Sequence, residues 1–209
     1  MIPVKILAVR YLANASLALC RQLGAPEGYP SLGLLTTDCD DATYIALDAA
    51  TKAAEVQVAY ARSFYAGAAN ASTPNAGEVI GILAAQTPGA VKSGMEAALA
   101  ELHRVGFEEV HKVPYLAHTV SSAGLFLAKE AGIRPGEALA YLIAPPLEGM
   151  YAMDAALKAA DVTLCKLYAP PSETNFGGGL LSGTQSACDA ACAAFAEAVA
   201  EVAARPAEG

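Results

Sequence analysis

The chain has no tryptophan, three histidines among 209 residues, and only 16% charged residues. So few histidines (His103, His111 and His118), with no CxxC among the five cysteines, leave zinc-finger and dithiol redox chemistry without their ligand spacing. The absence of a GxSxG run removes the usual nucleophile elbow of serine hydrolases. No stretch reaches the ~18 uninterrupted apolar residues that a membrane span requires, so no membrane partner is expected. The N-terminal run "MIPVKILAVRYLANASLALC" imitates a signal peptide, but Arg10 and Asn14 break its apolar core, and it reads as a strand and helix inside the fold. Basic residues are also short: 13 Lys and Arg face 21 Asp and Glu, a net charge of −8, with no basic stripe to attract a phosphate backbone. Nucleic acid is thereby excluded as a partner. Cys20, Cys39, Cys165, Cys188 and Cys192 are odd in number and lack a framework spacing, which suits a reducing cytoplasm.

What is present is a 55% apolar, alanine-rich sequence that says one thing twice. "IALDAATKAAEVQV" (45–58) and "YAMDAALKAADVTL" (151–164) agree at eight of fourteen positions across an offset of 106. The frame extends beyond them. "LALCRQLGA" faces "LFLAKEAGI", "SLGLLT" faces "LAYLIA", and "AVKSGMEAALAEL" faces "ACDAACAAFAEAV". This is a tandem duplication, read as residues 1–104 and 105–209.

Each half spells the same elements. A strand ("VKILAVRYL"; "EVHKVPYLA") leads into a helix stopped at Gly24 or Gly132, where glycine accepts the left-handed cap conformation. A second strand ("SLGLLTT"; "LAYLIA") meets a helix capped by Asp40 or Asp41 in the first half and started at Pro145-Pro146 in the second. A β-rich run, a loop, a further short segment and a closing helix follow. The fold class is α/β, an α+β sandwich with a mixed or antiparallel sheet flanked by helices in each half.

Few residues carry chemistry. His103 reads as a solvated helix end and His111 as an exposed position inside the strand "EVHKVPYLA"; His118, with Glu148 or Asp41, lacks ligand spacing, so no metal is assigned. "GGGLLSG" (177–183) is GxGxxxG rather than a dinucleotide fingerprint, and reads as a close-packed or flexible loop. Cys188 and Cys192, one turn apart, read as a core stripe. Asp38, Asp40 and Asp41 form an acidic cluster whose repeat holds only Glu148, and Glu78 stands where the repeat has a glycine. Acidic groups found in one half alone suit an amine or a cation. No catalytic residues and no cofactor are implied.

The phrases "SLGLLTTDCDDATYIALDAATKAA", "YARSFYAGAA", "AYLIAPPLEGMYAMDAALKAADV", "PPSETNF" and "GTQSACDAACAAFAEAV" cover nearly the whole chain. In these the sequence resembles the tandem, circularly permuted bacterial microcompartment (BMC) shell proteins of the ethanolamine-utilisation type. The resemblance implies a homotrimer forming a pseudohexagonal tile among neighbouring tiles of a cytoplasmic microcompartment, with a loop-gated central pore and small pores for a metabolite such as ethanolamine. It places Lys52 and Lys158 at the tile edge. The gating loops fall over 62–75 and 170–178, with Arg62, Ser63, Phe64 and Tyr65 in one and Ser172, Glu173, Asn175 and Phe176 in the other. Asp40, Glu78, Phe107 and Thr174 become the small-pore residues; two carboxylates and an aromatic suit an ammonium group by charge pairing and cation–π contact. The competing expectation is a soluble amine- or metal-binding enzyme or sensor built from duplicated α/β domains.

Overall fold

The computed structural model describes residues 1–64, 78–170 and 175–207. The chain divides into two compact units: Pro3–Gly106 with Gly124–Leu127, and Met1–Ile2 with Phe107–Ala123 and Ala128–Gly209.

The first unit contains β1 (Ile6–Leu12), α1 (Leu17–Gln22), β2 (Ser31–Thr37), α2 (Asp40–Ala53), β3 (Gln57–Ser63), β4 (Val79–Ala85) and α3 (Pro88–Leu102). Its sheet runs β1-β2-β4-β3, all antiparallel. Period-two alternation in β2 sends Leu32 and Leu34 to the face covered by Cys20 and Leu23 of the α1 segment. The opposite face meets the long helices, and a Cβ on Gly33 would collide with Val91 and Met95 of α3. Thr87 caps α3 by accepting the Ala90 N–H at 3.2 Å, with Pro88 in the first turn.

The second unit contains β5 (Glu108–Val110), β6 (Val113–Val120), α4 (Leu125–Ala131), whose first turn belongs to the first unit, then β7 (Ala138–Ala144), α5 (Pro146–Ala159), β8 (Val162–Tyr168), β9 (Gly177–Gly183) and α6 (Gln185–Ala204). The sheet order β5-β6-β7-β9-β8 repeats that of the first unit with one strand added. Ala140, Leu142 and Ala144 of β7 pack on Ala152, Met153 and Ala156 of α5 and on Cys188, Ala191, Cys192 and Phe195 of α6. The Cys188 and Cys192 stripe is thus core, and burial raises both thiol pKa values, that of Cys192 to about 11.

Three expectations change. "EVHKVPYLA" is not one strand: His111 and Lys112 take φ of 48° and 68° and turn the chain between β5 and β6, so His111 sits at a hairpin tip. Two non-glycine residues at positive φ carry no sequence signature of a two-residue turn. "GGGLLSG" is not a loop but the strand β9, paired to β7 on one side and β8 on the other. Its glycines admit close backbone approach: a Cβ on Gly179 would stand 2.3 Å from the Lys166 carbonyl oxygen. Finally, the N-cap of α2 is Cys39, not Asp40 or Asp41.

Both outer strands on the helix-return side are bulged at the same place. The pairing of β3 with β4 slips between Val58 and Tyr60, and that of β8 with β9 slips between Leu164 and Lys166.

Candidate functional site

The acidic cluster gathers at one end of the first sheet, where β2 finishes, α2 starts and β4 begins. The Thr37 hydroxyl organises the turn: it accepts the Cys39 N–H at 3.1 Å and lies 2.8 Å from the Thr43 hydroxyl. With Thr37 holding the turn, Asp40 and Asp41 fall into the first turn of α2, where the helix dipole favours negative charge. Both are nearly buried, 7% and 6% exposed. The Asp40 carboxylate accepts the Asp41 N–H at 2.9 Å, and Asp38 accepts the Lys5 N–H at 2.8 Å.

Glu78 enters from the strand side. Its N–H donates to the Thr37 carbonyl at 2.8 Å, and its own carbonyl accepts the Phe64 N–H at 2.8 Å. Burial, then Asp40, then Asp38, push its carboxyl above the usual glutamate range. Asp40 and Glu78 are therefore electrostatic neighbours. The same surroundings raise the Cys39 thiol, chiefly through burial and Asp41, which leaves it inert as a nucleophile at neutral pH. The repeat partner of Glu78 is not a glycine: Thr37 pairs with Val79 as Ala144 pairs with Gly177, which sets Glu78 opposite Phe176.

Phe107 belongs to the second unit, where its ring centroid is 5.6 Å from that of Phe176 and its carbonyl accepts the Ile2 N–H at 2.5 Å. Arg62 and Ser63 end β3, and Ser63 hydrogen-bonds the Tyr44 hydroxyl. Phe64 continues the ladder toward Glu78. Asn175 holds a φ of 66° just before β9. Tyr65, Ser172, Glu173 and Thr174 lie outside the described residues. His118 stands on β6 opposite Tyr141, and among the described residues no group of three or more His, Cys, Asp or Glu is placed to hold a metal. No helix of the described residues is long and apolar enough to cross a membrane.

Lys52 and Lys158 make the i,i+4 pairs that their spacing suggests, but the two are unequal. Lys158 meets Asp154 at 2.5 Å with both side chains mostly exposed. Lys52 lies 3.4 Å from Asp48, whose side chain is wholly buried. Asp48 accepts the N–H groups of Gly124 at 2.7 Å and Leu127 at 2.9 Å, and Thr51 accepts that of Leu125 at 3.1 Å. It is a long-range cap for α4, a role that the Asp-Ala-Ala-x-Lys phrase conceals because Asp154 spells the same phrase without it.

A BMC domain model matches residues 31–115. The chain is 58% identical over 205 residues, 96% of its length and 94% of the relative's, to the bacterial microcompartment shell protein EutL of Clostridium perfringens (strain 13 / Type A). It is 45% identical to EutL of Escherichia coli (strain K12), covering 88% of this chain and 86% of that one. The crystal structure of ethanolamine utilization protein EutL from Leptotrichia buccalis superposes with a TM-score of 0.96 at 56% identity, covering 100% of this chain and 98% of that one. These relatives are named as shell proteins, which are structural, and the enzyme or sensor alternative finds no support among them. Doubled sheet order and similarity along nearly the whole chain converge: the chain belongs to the EutL family of bacterial microcompartment shell proteins.

Proposed function

We propose that three copies of this shell protein assemble into a pseudohexagonal tile of a cytoplasmic bacterial microcompartment, each copy supplying two permuted BMC domains, 1–104 and 105–209. The observation that carries the proposal is the doubled sheet order, β1-β2-β4-β3 and β6-β7-β9-β8, which puts two like wedges in one chain and six in three chains. The family match starts at β2 rather than β1 and runs on into β6, which supports a permuted order in the first half. In this reading Lys52 and Lys158 lie at the rim where tiles meet, and the connections that follow β3 and β8 line and gate the central pore, while Arg62, Ser63, Gly177 and Gly178, first assigned to those loops, belong to the strands β3 and β9. The protein should sediment as a trimer and form sheets at high concentration. Lys52→Glu with Lys158→Glu should abolish sheets seen by electron microscopy while leaving trimers intact; sheets surviving in the double variant exclude the rim role.

The small-pore ligand is taken to be an amine such as ethanolamine, held by Asp40 and Glu78 with Phe107 and Thr174 as further candidates. Because the Glu78 carboxyl is raised, it ionises later than an ordinary glutamate as pH rises, while the ammonium group stays protonated. Ethanolamine affinity measured by calorimetry should therefore strengthen from pH 5 to pH 7.5. Glu78→Gln should weaken binding and flatten that dependence, and an unchanged pH profile in this variant removes Glu78 from the site.

A further inference from the structure

Glu78 immediately precedes β4, and β4 lies between β2 and β3 in the first sheet. Its backbone is tied to both neighbours: the N–H donates to the Thr37 carbonyl at the end of β2, and the carbonyl accepts the Phe64 N–H just past the end of β3. The helix α2, which brings Asp40, is tied to the same two strand ends by its side chains. The Thr43 and Thr37 hydroxyls lie 2.8 Å apart, and the Tyr44 hydroxyl hydrogen-bonds that of Ser63, the last residue of β3. Two successive residues of α2 thus reach the strands on either side of Glu78. The Tyr44 ring is backed by Phe126, with centroids 5.9 Å apart and planes tilted by 46°. Phe126 lies in the turn 124–127, which belongs to the same unit and whose backbone Asp48 and Thr51 hold. Packing on the ring fixes where the hydroxyl points.

The second unit is a built-in comparison. The helices α2 and α5 each run for 14 residues, so Asp40, Thr43 and Tyr44 correspond to Pro146, Gly149 and Met150. On the strands, Thr37 corresponds to Ala144 and Glu78 to Phe176. Ser63, opposite Val79, corresponds to Ala169, the residue after Tyr168. These second-unit positions hold neither a hydroxyl nor a carboxylate. Met150 instead lies over β9, where a Cβ on Gly177 would stand 3.1 Å from its Cε. Both hydroxyl ties are therefore present in the half that has Asp40 and Glu78 and lost from the half that does not. A tie needed only to hold helices on a sheet would serve both halves alike, since both pack two long helices on the same strand order.

We propose that Tyr44 is a positioning residue of the amine site: through Ser63 it holds the first turn of α2 against the end of β3 and so fixes the separation of Asp40 from Glu78. The proposal deepens the amine reading above and rests on it. Two carboxylates grip one ammonium group only while both stay within hydrogen-bonding distance of it; a pair that drifts apart engages it singly. Thr37 with Thr43 sets one side of that spacing, and Tyr44 with Ser63 sets the other.

The test is calorimetry of the full chain with ethanolamine. Tyr44→Phe keeps the ring on Phe126 and should weaken binding about 3- to 10-fold with its circular dichroism unchanged. Ser63→Ala removes the other end of the same bond without touching the Phe126 contact and should give the same loss, and the double variant should lose no more than either single one. Ser63→Thr, which keeps the hydroxyl, should bind as the wild type does. Burial, then Asp40 of α2 and Asp38 of the turn before it, hold the Glu78 carboxyl up, so a looser Asp40 lowers it. The pH at which binding strengthens should accordingly move down in Tyr44→Phe. Wild-type affinity and pH dependence in Tyr44→Phe, or single losses that add in full in the double variant, overturn the proposal and spare the amine reading. A wild-type chain that binds no ethanolamine at any of these pH values overturns the amine reading itself.

Discussion

Asp48→Ala should lower the unfolding free energy by about 3–5 kcal/mol, while Asp154→Ala at the repeated position should change it by less than about 0.5 kcal/mol. The two aspartates share their sequence surroundings and differ in their partners. Asp48 is fully buried, accepts the Gly124 and Leu127 N–H groups and pairs with Lys52; its removal strands two donors in a place that a Cβ on Gly124 already shows to be tight. Asp154 holds one exposed lysine in a solvated i,i+4 pair. Thermal melts followed by circular dichroism would separate the variants, with a Tm drop of roughly 10 °C expected for Asp48→Ala alone. Asp48→Asn keeps an acceptor and should fall between wild type and alanine. Equal melting of Asp48→Ala and Asp154→Ala would mean that the buried cap contributes nothing beyond its surface copy.

Gly178→Ala should prevent folding outright, a loss of at least about 4 kcal/mol. Gly178 sits at φ 153° opposite Ile143, and a Cβ there would lie 1.9 Å from the Leu142 carbonyl oxygen and 2.8 Å from its carbon. The strand β9 lies between β7 and β8, so it cannot move away from one without losing register with the other. Gly136→Ala is the matched control: φ is 95°, but no atom lies within 4 Å of the added Cβ, so only the backbone cost of about 1 kcal/mol applies. Soluble yield and the cooperative melting transition should be lost for the first variant and fall slightly for the second.

How much of this was legible depended on whether the determining contact was local. The duplicated order of elements was written plainly, because alanine-rich helices with caps and stops recur at a fixed spacing, and Pro145-Pro146 does open α5. The acidic end of the sheet was legible too, since Asp40, Asp41 and Glu78 are unmatched by the second half. The cap at α2 was not, because the Thr37 hydroxyl reaches Cys39 and leaves the aspartates one position too late. Asp48 was beyond reach for a stronger reason: its partners are 76 and 79 residues away, and nothing near it distinguishes it from Asp154. Gly177 to Gly179 read as a loop because glycine is poor in strands, yet Gly178 and Gly179 lie against neighbouring backbone, and Gly177 against the side chains of Pro170 and Met150, which no local pattern records.

The paired bulges in β3 and β8 have a consequence for life in a crowded wall. An outer strand offers unpaired amide groups to any other extended chain, and proteins packed side by side in a sheet meet such edges constantly. Skipping Ala59 and Cys165 breaks the hydrogen-bonding rhythm of both outer strands, so that neither presents a regular template for a stranger's backbone. Growth by strand addition at these two edges, the route to fibres, is thereby discouraged in a protein whose relatives are built into shells.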